Sequence, residues 1–364
     1  MHRLIIRAAL IAALSTAVLA AAAPLTAAPP GDRYTVTPLV SDVPGAATFT
    51  DPNLVNGWGL ARSGTSPWWV ADNGADKTTI YNGAGVLQQI GGVAFQQVLG
   101  KPTGAVFSGI SGQFQVGTMA SPTTLGTSNF IFATEDGVIR AWRGGSTAAL
   151  VTVDRSGVGA IYKGLAIVPG QPVLYAADFH NARVDVFNGA WQLVTPAGAF
   201  VDPKLKHHYA PFGIQAIGDH IFVTYAKQDA AREDEVAGRG RGFVDEYDPQ
   251  GNLVARVAHR GQLNAPWGLA LAPNTATDTF GRFSGDLLVG NFGDGQINAY
   301  EEKDNGHFEH RGTLKAADGK KLTIDGLWAL EFGNAGSNGT PSQLFFTAGP
   351  DDETHGLFGT ITVG

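Results

Sequence analysis

The stretch PWGLA at residues 266–270 recurs along the chain in six related versions. Each version places a small residue in front of an apolar run. The other five are GWGLA (57–61), PTGAV (102–106), YKGLA (162–166), PFGIQ (211–215) and LWALE (327–331). Aligned on Gly59, Gly104, Gly164, Gly213, Gly268 and Ala329, they are 45, 60, 49, 55 and 61 residues apart. Recurrence at such a period is typical of repeat architectures.

Each version is followed by two further apolar runs separated by a polar turn. The first blade shows the pattern with WWVADNG (68–74) and then TTIYNG (78–83). Alternation of apolar and polar residues predicts half-buried strands. One unit of three or four short strands cannot bury both faces, but six units arranged radially can. The sequence therefore predicts an all-β fold, a six-bladed β-propeller covering residues 34–364.

The two ends of the chain complement each other. Few residues follow Ala329, so the sixth unit lacks an outer strand, while YTVTPLVS (34–41) precedes the first unit as an unpaired strand. Pairing them would remove an exposed sheet edge. We therefore predict that the N-terminal strand closes the ring within the last blade.

The first residues have the pattern of a secretory signal. His2, Arg3 and Arg7 make a basic start, and an apolar stretch and small residues follow up to Ala23. This predicts a cleaved signal peptide over 1–23, a flexible segment over 24–33, and an exported protein of the periplasm or the extracellular space. The apolar part is short for a bilayer, so we expect no membrane span after cleavage.

Composition narrows the function classes. The chain has no cysteine, which excludes disulfides and thiol chemistry. Its net charge is −7, and it becomes −9 without 1–23 because Arg3 and Arg7 are the charged residues removed. So acidic a protein is a poor candidate for nucleic-acid binding. We expect a monomer whose partner is a small molecule, a glycan or a polypeptide.

Several stretches carry a family resemblance. They are NLVNGWGLA, ATEDGVIRAW, YAADFHNARVDVF, NAPWGLALAP and SGDLLVGNFGDGQINAY. The chain resembles a family of uncharacterised exported bacterial propeller proteins over all six blades. The turn after the second strand of a blade, as in Val70–Gly74, is also similar to the NHL-repeat signature. The resemblance implies the fold and carries no established activity.

A more distant resemblance concerns the regucalcin/gluconolactonase group of six-bladed propellers. That group holds a divalent cation at the channel mouth, and its Asn-Gly-Leu and Asp-Gly signatures are similar to Asn56-Gly57 and Asp325-Gly326-Leu327. Both stretches lie two or three residues before the aligned Gly or Ala. The metal-ligand register is therefore not reproduced, and the activity of that group is not transferred.

Polar residues form two rings on one face of the predicted propeller. The loops into the inner strands and those between the second and third strands share this face, which we call the mouth. The first ring is Asn56, Lys101, Lys163, Tyr209, Asn264 and Asp325, and the second is Asp72, Glu135, Asp178, Tyr225, Asn291 and Gly349. Carboxylates and amides suit calcium, which takes six to eight oxygen ligands. The candidate metal ligands are Asp72, Glu135, Asp178, Asn291 and Asp325. Their alternative role is hydrogen bonding within the turns.

Aromatic residues precede the aligned small residue in four blades. They are Trp58, Phe212, Trp267 and Trp328. They either pack between blades or form a stacking platform for a flat ligand at the mouth. The predicted ligand-binding residues are Asn56, Trp58, Lys163, Tyr225, Trp267 and Trp328.

Three histidines are the candidates for catalysis. His180 lies in a second-to-third-strand turn, and His207 and His208 lie in the loop that enters the fourth blade. A mouth histidine near acidic residues could act as a base or a ligand, or be a solvated loop residue.

A polar insertion at 226–242 interrupts the repeat on the same face, where it is either a lid or a mobile surface loop.

Three functions fit these observations. The first is an exported propeller that binds a small molecule, glycan or polypeptide at the mouth, with calcium as the candidate cofactor. The second is a metal-dependent hydrolase or lyase of the lactonase or esterase type. The third is an interaction scaffold of the cell envelope.

Overall fold

The computed structural model describes residues 32–364, whose regular structure consists of β-strands and three short 3₁₀ turns. The predicted signal peptide and most of the segment 24–33 lie outside the described residues. Within 32–364, no helix has the length and hydropathy needed to cross a bilayer.

Six antiparallel sheets follow one another along the chain, as the repeat predicts. The strands of blade 1 are Gly57–Ala61, Trp68–Asp72, Lys77–Tyr81 and Phe95–Gln97. Those of blade 2 are Pro102–Phe107, Phe130–Thr134, Val138–Trp142 and Leu150–Asp154. Those of blade 3 are Tyr162–Ile167, Val173–Asp178 and Arg183–Asn188.

The second half of the chain repeats this order. The strands of blade 4 are Tyr209–Ile217, His220–Lys227, Phe243–Tyr247 and Leu253–His259. Those of blade 5 are Pro266–Leu271, Leu287–Asn291, Ile297–Glu302 and Phe308–Thr313. The C-terminal part of the chain contributes three strands to blade 6, which are Leu327–Phe332, Leu344–Ala348 and Leu357–Val363. The insertion in blade 2 carries a small hairpin of Gln115–Val116 with Gly126–Thr127.

The N-terminal strand closes the ring as predicted. Tyr34–Ser41 pairs antiparallel with Leu357–Val363, from Tyr34 opposite Val363 to Ser41 opposite Leu357. The two-residue strand Phe49–Thr50 then runs parallel to it on the outside. The sixth blade therefore contains both ends of the described chain, and the six-bladed fold is confirmed.

The hydrophobic core lies between the blades. Five of its six clusters each join two neighbouring blades in sequence order, from blades 1 and 2 to blades 5 and 6. The sixth cluster joins blade 6 to blade 1 and extends into the central channel. Burial of apolar surface between blades, at roughly 25 cal/mol per Å², is thus what holds the ring together.

Neighbouring inner strands approach each other at the aligned glycines. A Cβ atom built on Gly268 would lie 2.3 Å from the Trp328 carbonyl oxygen, and one on Gly213 would lie 2.1 Å from that of Trp267. The same holds for Gly59 against blade 2 and Gly104 against blade 3. No side chain fits such a gap, because real Cβ atoms do not approach backbone atoms so closely.

The junction between blades 6 and 1 is built differently, since Ala329 takes the glycine position. Here Thr347 bridges the two blades, because its hydroxyl donates to the Trp58 carbonyl and accepts from the Ala329 N–H. The side chain thereby satisfies backbone groups at the seam where the ring closes.

We expect Gly268→Ala to lower the free energy of unfolding by about 1–3 kcal/mol, since overpacking forces the inner strands apart. Gly144→Ala is the matched control, because nothing lies within 4 Å of a Cβ built there. Urea denaturation of both variants measures the effect. Equal stability of the two would contradict close packing as the role of the aligned glycines.

Candidate functional site

Six aromatic side chains fill the centre of the channel, and we call them the aromatic plug. They are Trp58, Phe179, Phe212, Trp267, Phe292 and Trp328. Trp328 stacks on Trp58 with ring centroids 3.6 Å apart and on Phe292 at 4.1 Å. The four aromatic residues of the repeat therefore pack on one another around the axis, as well as between blades.

Lys163 lies directly on the aromatic plug. Its side chain is 1% exposed, and Nζ lies 5.2 Å from the centroid of the Trp58 ring. The ammonium pairs with Glu135 of blade 2, and it lies 3.1 Å from Oδ1 of Asp234, in the insertion of blade 4. Trp267 fixes the backbone below, because its indole N–H donates to the Lys163 carbonyl at 2.9 Å.

Two asparagines connect the Lys163–Glu135 ion pair to the blade 6 side of the mouth. Asn73 donates to Glu135 at 3.1 Å, and Asn56 donates to Asn73 at 3.3 Å and to Glu353 at 2.6 Å. The amide oxygen of Asn56 accepts from the Trp328 indole at 3.0 Å. We call the polar layer on the plug the Lys163 cluster, which comprises Asn56, Asn73, Glu135, Lys163, Asp234, Glu235 and Glu353.

Unusual backbone conformations position the blade 6 side of the cluster. Asp351, Asp352 and Glu353 have φ values of 57°, 52° and 65°, and Asn56 has a φ of 48°. Asp325 supports this turn, because its carboxylate accepts from the Asp351 N–H at 2.9 Å. Left-handed conformations of residues other than glycine cost of order 1–3 kcal/mol each and concentrate at functional sites.

The ionisable groups of the cluster have altered proton affinities. Burial acts to raise the pKa of Glu135, but the Lys163 ammonium outweighs it and holds that pKa below its usual range. Burial acts to lower the pKa of Lys163, and the Glu135 carboxylate reverses this and raises it. Burial raises the pKa of Glu235 to about 7, and it also raises the pKa of Glu353. The cluster thus combines a permanent ion pair with a carboxyl group that titrates near neutrality.

The insertion of blade 4 crosses the mouth, and we call residues 228–241 the mouth segment. At one end, Gln228 donates to the Phe179 carbonyl at 2.6 Å. At the other end, the Gly238 N–H donates to the Asn264 side chain at 2.5 Å. Between these anchors Asp229 accepts from the Glu233 N–H at 2.9 Å. The mouth segment is therefore an ordered cover that carries Asp234 and Glu235 to Lys163.

The structure brings together five of the six residues predicted to bind ligand. Asn56 and Lys163 belong to the cluster, and Trp58, Trp267 and Trp328 belong to the plug beneath it. Tyr225 is apart from them, because it is buried and its hydroxyl is 2.7 Å from that of Tyr247.

The residues predicted to bind metal do not converge. Asp72 accepts from the N–H and hydroxyl of Thr79, and Asp178 accepts from the side chain of Asn181 at 2.8 Å. Asn291 donates to the Gln262 carbonyl at 2.8 Å, and Asp325 accepts from the Asp351 N–H at 2.9 Å, so each is bound by a neighbouring loop. In the part of the chain that the structure describes, no three His, Cys, Asp or Glu residues are grouped to hold a metal ion. Turn hydrogen bonding, the alternative role, accounts for these contacts.

Glu135 differs from Asp72 and Asp178 in its register. Asp72 pairs with Gly57 and Asp178 with Tyr162, but in blade 2 the residue at this position is Thr134, opposite Pro102. Glu135 therefore lies one residue beyond the ring position. Its carboxylate reaches Lys163 instead of being bound by its own turn.

The candidate catalytic histidines lie outside the cluster. His207 and His208 are exposed and line a surface cavity of about 390 Å³ with Arg232, and this cavity shares no lining residue with the Lys163 cluster. His180 is half-buried, and its carbonyl accepts from Gln228, an anchor of the mouth segment. A catalytic role for these histidines stays a prediction.

Three cluster residues were not predicted as site residues, and a fourth, Glu353, was predicted only to lie in an acidic turn that either binds a cation or is solvated. The three are Asn73, Asp234 and Glu235. Two of them lie in the insertion at 226–242, whose interruption of the repeat was the available signal. Asn73 follows Asp72 in an ordinary turn sequence, and nothing in the sequence distinguishes it.

Comparison with known proteins finds similar proteins in a mimivirus. No protein-family model matches it. The uncharacterized protein R648 of Acanthamoeba polyphaga mimivirus is 30% identical over 334 residues, which cover 89% of this chain and 78% of that protein. The NHL-like character of the repeat and a bacterial family both stay predictions.

Among solved structures, a streptogramin B lyase has a TM-score of 0.51 at 11% identity and covers 91% of this chain and 98% of its own. A gluconolactonase of Xanthomonas campestris has a TM-score of 0.41 at 17% identity, with 70% and 88% covered. At these identities the likeness to the lyase concerns the fold alone.

The raised pKa of Glu235 predicts a dependence of stability on pH. Because the folded pKa of about 7 exceeds the ordinary value of 4.5, the folded state holds this proton more tightly, and stability falls as pH rises from about 4 to 7. Glu235→Gln should match the wild type near pH 4 and exceed its free energy of unfolding by up to about 3 kcal/mol at pH 8.

Glu233→Gln, at an exposed position of the same segment, is the control and should follow the wild type at every pH. Urea denaturation between pH 4 and 8 provides the measurement. A constant difference between Glu235→Gln and the wild type would contradict the assigned titration.

Proposed function

The chain belongs to the family of the mimivirus protein R648, and for this six-bladed propeller we propose that the Lys163 cluster binds a small molecule that carries a carboxylate. The ligand carboxylate pairs with the Lys163 ammonium at the mouth of the channel. Sugar acids and other small organic acids are the ligand class with this chemistry.

The observation that supports the proposal is the difference between the two partners of Lys163. The Glu135 side chain is 18% exposed and also accepts a hydrogen bond from Asn73 at 3.1 Å, whereas the Asp234 side chain is 72% exposed. Solvent screens the exposed Asp234 carboxylate, so its pairing with Lys163 is weaker than that of the more buried Glu135. Asp234 is therefore the partner that a ligand carboxylate replaces without changing the charge of the site.

The surroundings suit an incoming carboxylate. Glu235 has a pKa of about 7, so near neutrality much of it is a carboxylic acid that donates a hydrogen bond. The aromatic plug excludes water from below, which strengthens the pairing with Lys163. A buried ion pair is weak support for stability in itself, and groups with altered pKa values concentrate at functional sites.

A second function, acid–base catalysis on the bound molecule, is favoured by Glu235 alone. A carboxyl with a pKa near 7 can both donate and accept a proton at physiological pH. This is the lyase or hydrolase alternative in a form that uses no metal.

Calcium dependence, export and a monomeric state remain predictions, and loss of thermal stability on adding a chelator would test the first.

Replacement of the ion pair should abolish ligand binding. Lys163→Met alone leaves Glu135 without its cation, so Lys163→Met/Glu135→Gln is used beside it to remove both charges. In the wild type, gluconate, galacturonate and acetate are tested for a concentration-dependent rise in melting temperature. We expect at least one acid to produce this rise, and we expect the double variant to lose it.

Lys101→Met is the matched control, because Lys101 is an exposed lysine on the same face. It should keep the response to the acid. The proposal is contradicted if no acid in the panel stabilises the wild type, or if the folded double variant responds as the wild type does.

Removal of Asp234, which competes with the ligand carboxylate for Lys163, should tighten ligand binding. Asp234→Ala removes one of the two carboxylates that pair with Lys163, and we expect about two- to fivefold higher affinity for the acid found above, the equivalent of up to about 1 kcal/mol. Isothermal titration calorimetry measures the dissociation constants. Glu233→Ala removes the same charge from the same segment and should change affinity less. An equal gain in both variants would assign the effect to overall charge instead.

A further inference from the structure

A cavity lies at the end of the channel opposite the mouth, beyond the aromatic plug. It has a volume of about 450 Å³ and is lined by the far ends of inner strands from blades 1, 2, 3, 4 and 6. Leu60, Val106, Phe107 and Ile167 contribute apolar walls. The lining is mixed, because polar side chains also reach it: Arg62, Ser63, Ser108, Gln215 and Glu331. Cavities of roughly 300–1,000 Å³ are typical of small-molecule sites. We call it the opposite cavity.

The opposite cavity is separate from the Lys163 cluster. The space between them, lined by Trp267, Leu269 and Ala329 among others, has a volume of about 20 Å³. Such a space is sufficient for one water molecule and for nothing larger. A ligand that enters from one face therefore cannot reach the other.

Arg62 and Glu331 are the charged side chains that line the opposite cavity within residues 32–364. Arg62 is fixed in place, because its Nε and Nη2 donate to the Phe332 carbonyl at 3.2 and 2.8 Å. Its guanidinium also lies over the Trp68 ring, 5.3 Å from the centroid. The guanidinium is thus already engaged by the protein.

The Glu331 carboxylate has fewer contacts with the protein than the Arg62 guanidinium has. Its Oε1 lies 3.3 Å from Nε of Arg62, and among the described residues no donor makes a hydrogen bond to its carboxylate. The side chain is 25% exposed. Burial raises the pKa of Glu331 to about 7, and Arg62 lowers it only in part. Glu331 thus lines the cavity with Arg62 as its ionic neighbour and, among the described residues, without a hydrogen-bond donor of its own.

We propose that the opposite cavity binds a small primary amine with an apolar body, whose ammonium donates to the carboxylate of Glu331. The apolar body packs on the walls formed by Leu60, Val106 and Phe107. An amine fits better than an acid, because the charged group that lacks a hydrogen-bond partner here is the carboxylate and not Arg62. This site does not rest on the function proposed for the mouth.

Benzylamine is the probe, with benzyl alcohol and benzoate as matched molecules of the same shape. Isothermal titration calorimetry on the whole protein at pH 8 should give one benzylamine per chain and weaker binding of the other two. Affinity should fall about tenfold from pH 8 to pH 6, as Glu331 becomes protonated while the amine stays charged.

Two variants test the location. Glu331→Gln removes the acceptor charge, and Ala216→Phe fills the cavity at a half-buried lining position. Each should weaken benzylamine binding at least tenfold. Glu302→Gln, at an exposed acidic residue, and the mouth variant Lys163→Met/Glu135→Gln should leave it unchanged.

Each outcome decides the proposal. If Glu331→Gln unfolds, Ala216→Phe still tests the location. Equal or tighter binding of benzoate, unchanged binding in both cavity variants, or loss of binding in the mouth variant alone would overturn the site at Glu331. None of these results would depend on whether acids bind at Lys163.

Discussion

The structure depends on how closely neighbouring inner strands pack around the channel axis. At Gly213 and Gly268 the carbonyl of the next blade occupies the space where a Cβ would be. This contact sets the radius of the channel, and the radius is small enough for six aromatic side chains to fill the centre. Close packing of the backbone is thus the condition for the plug, and the plug in turn is the floor of the mouth.

The plug explains why a charged layer exists in the interior of the channel. Lys163 is removed from water by aromatic rings below and by the mouth segment above, and it is neutralised by Glu135 and Asp234. Such an arrangement is expensive in desolvation unless every charge has a partner. The same plug divides the channel. The Lys163 cluster at one end is therefore separated from the Arg62–Glu331 pair at the other end.

The candidate site shows where reasoning from the repeat stops. Asp72 and Asp178 share a turn position and share a role, since both are bound within their own blades. Glu135 was aligned with them, yet a shift of one residue directs its carboxylate to Lys163. In a strand that shift moves a side chain to the other face. Asp234 belongs to no repeat, and only the path of the mouth segment brings it to the channel axis.

The sequence by itself determined the number of blades, their strands, and the closure by Tyr34–Ser41, because periodic apolar alternation and a missing outer strand are local features of the chain. It also identified Trp58, Trp267 and Trp328 as a group. Tertiary structure decided that these rings fill the channel and that Asn56, Lys163 and Glu353 meet above them. Contacts between residues 56 and 353 depend on the curvature of the whole ring, and no single repeat contains that information.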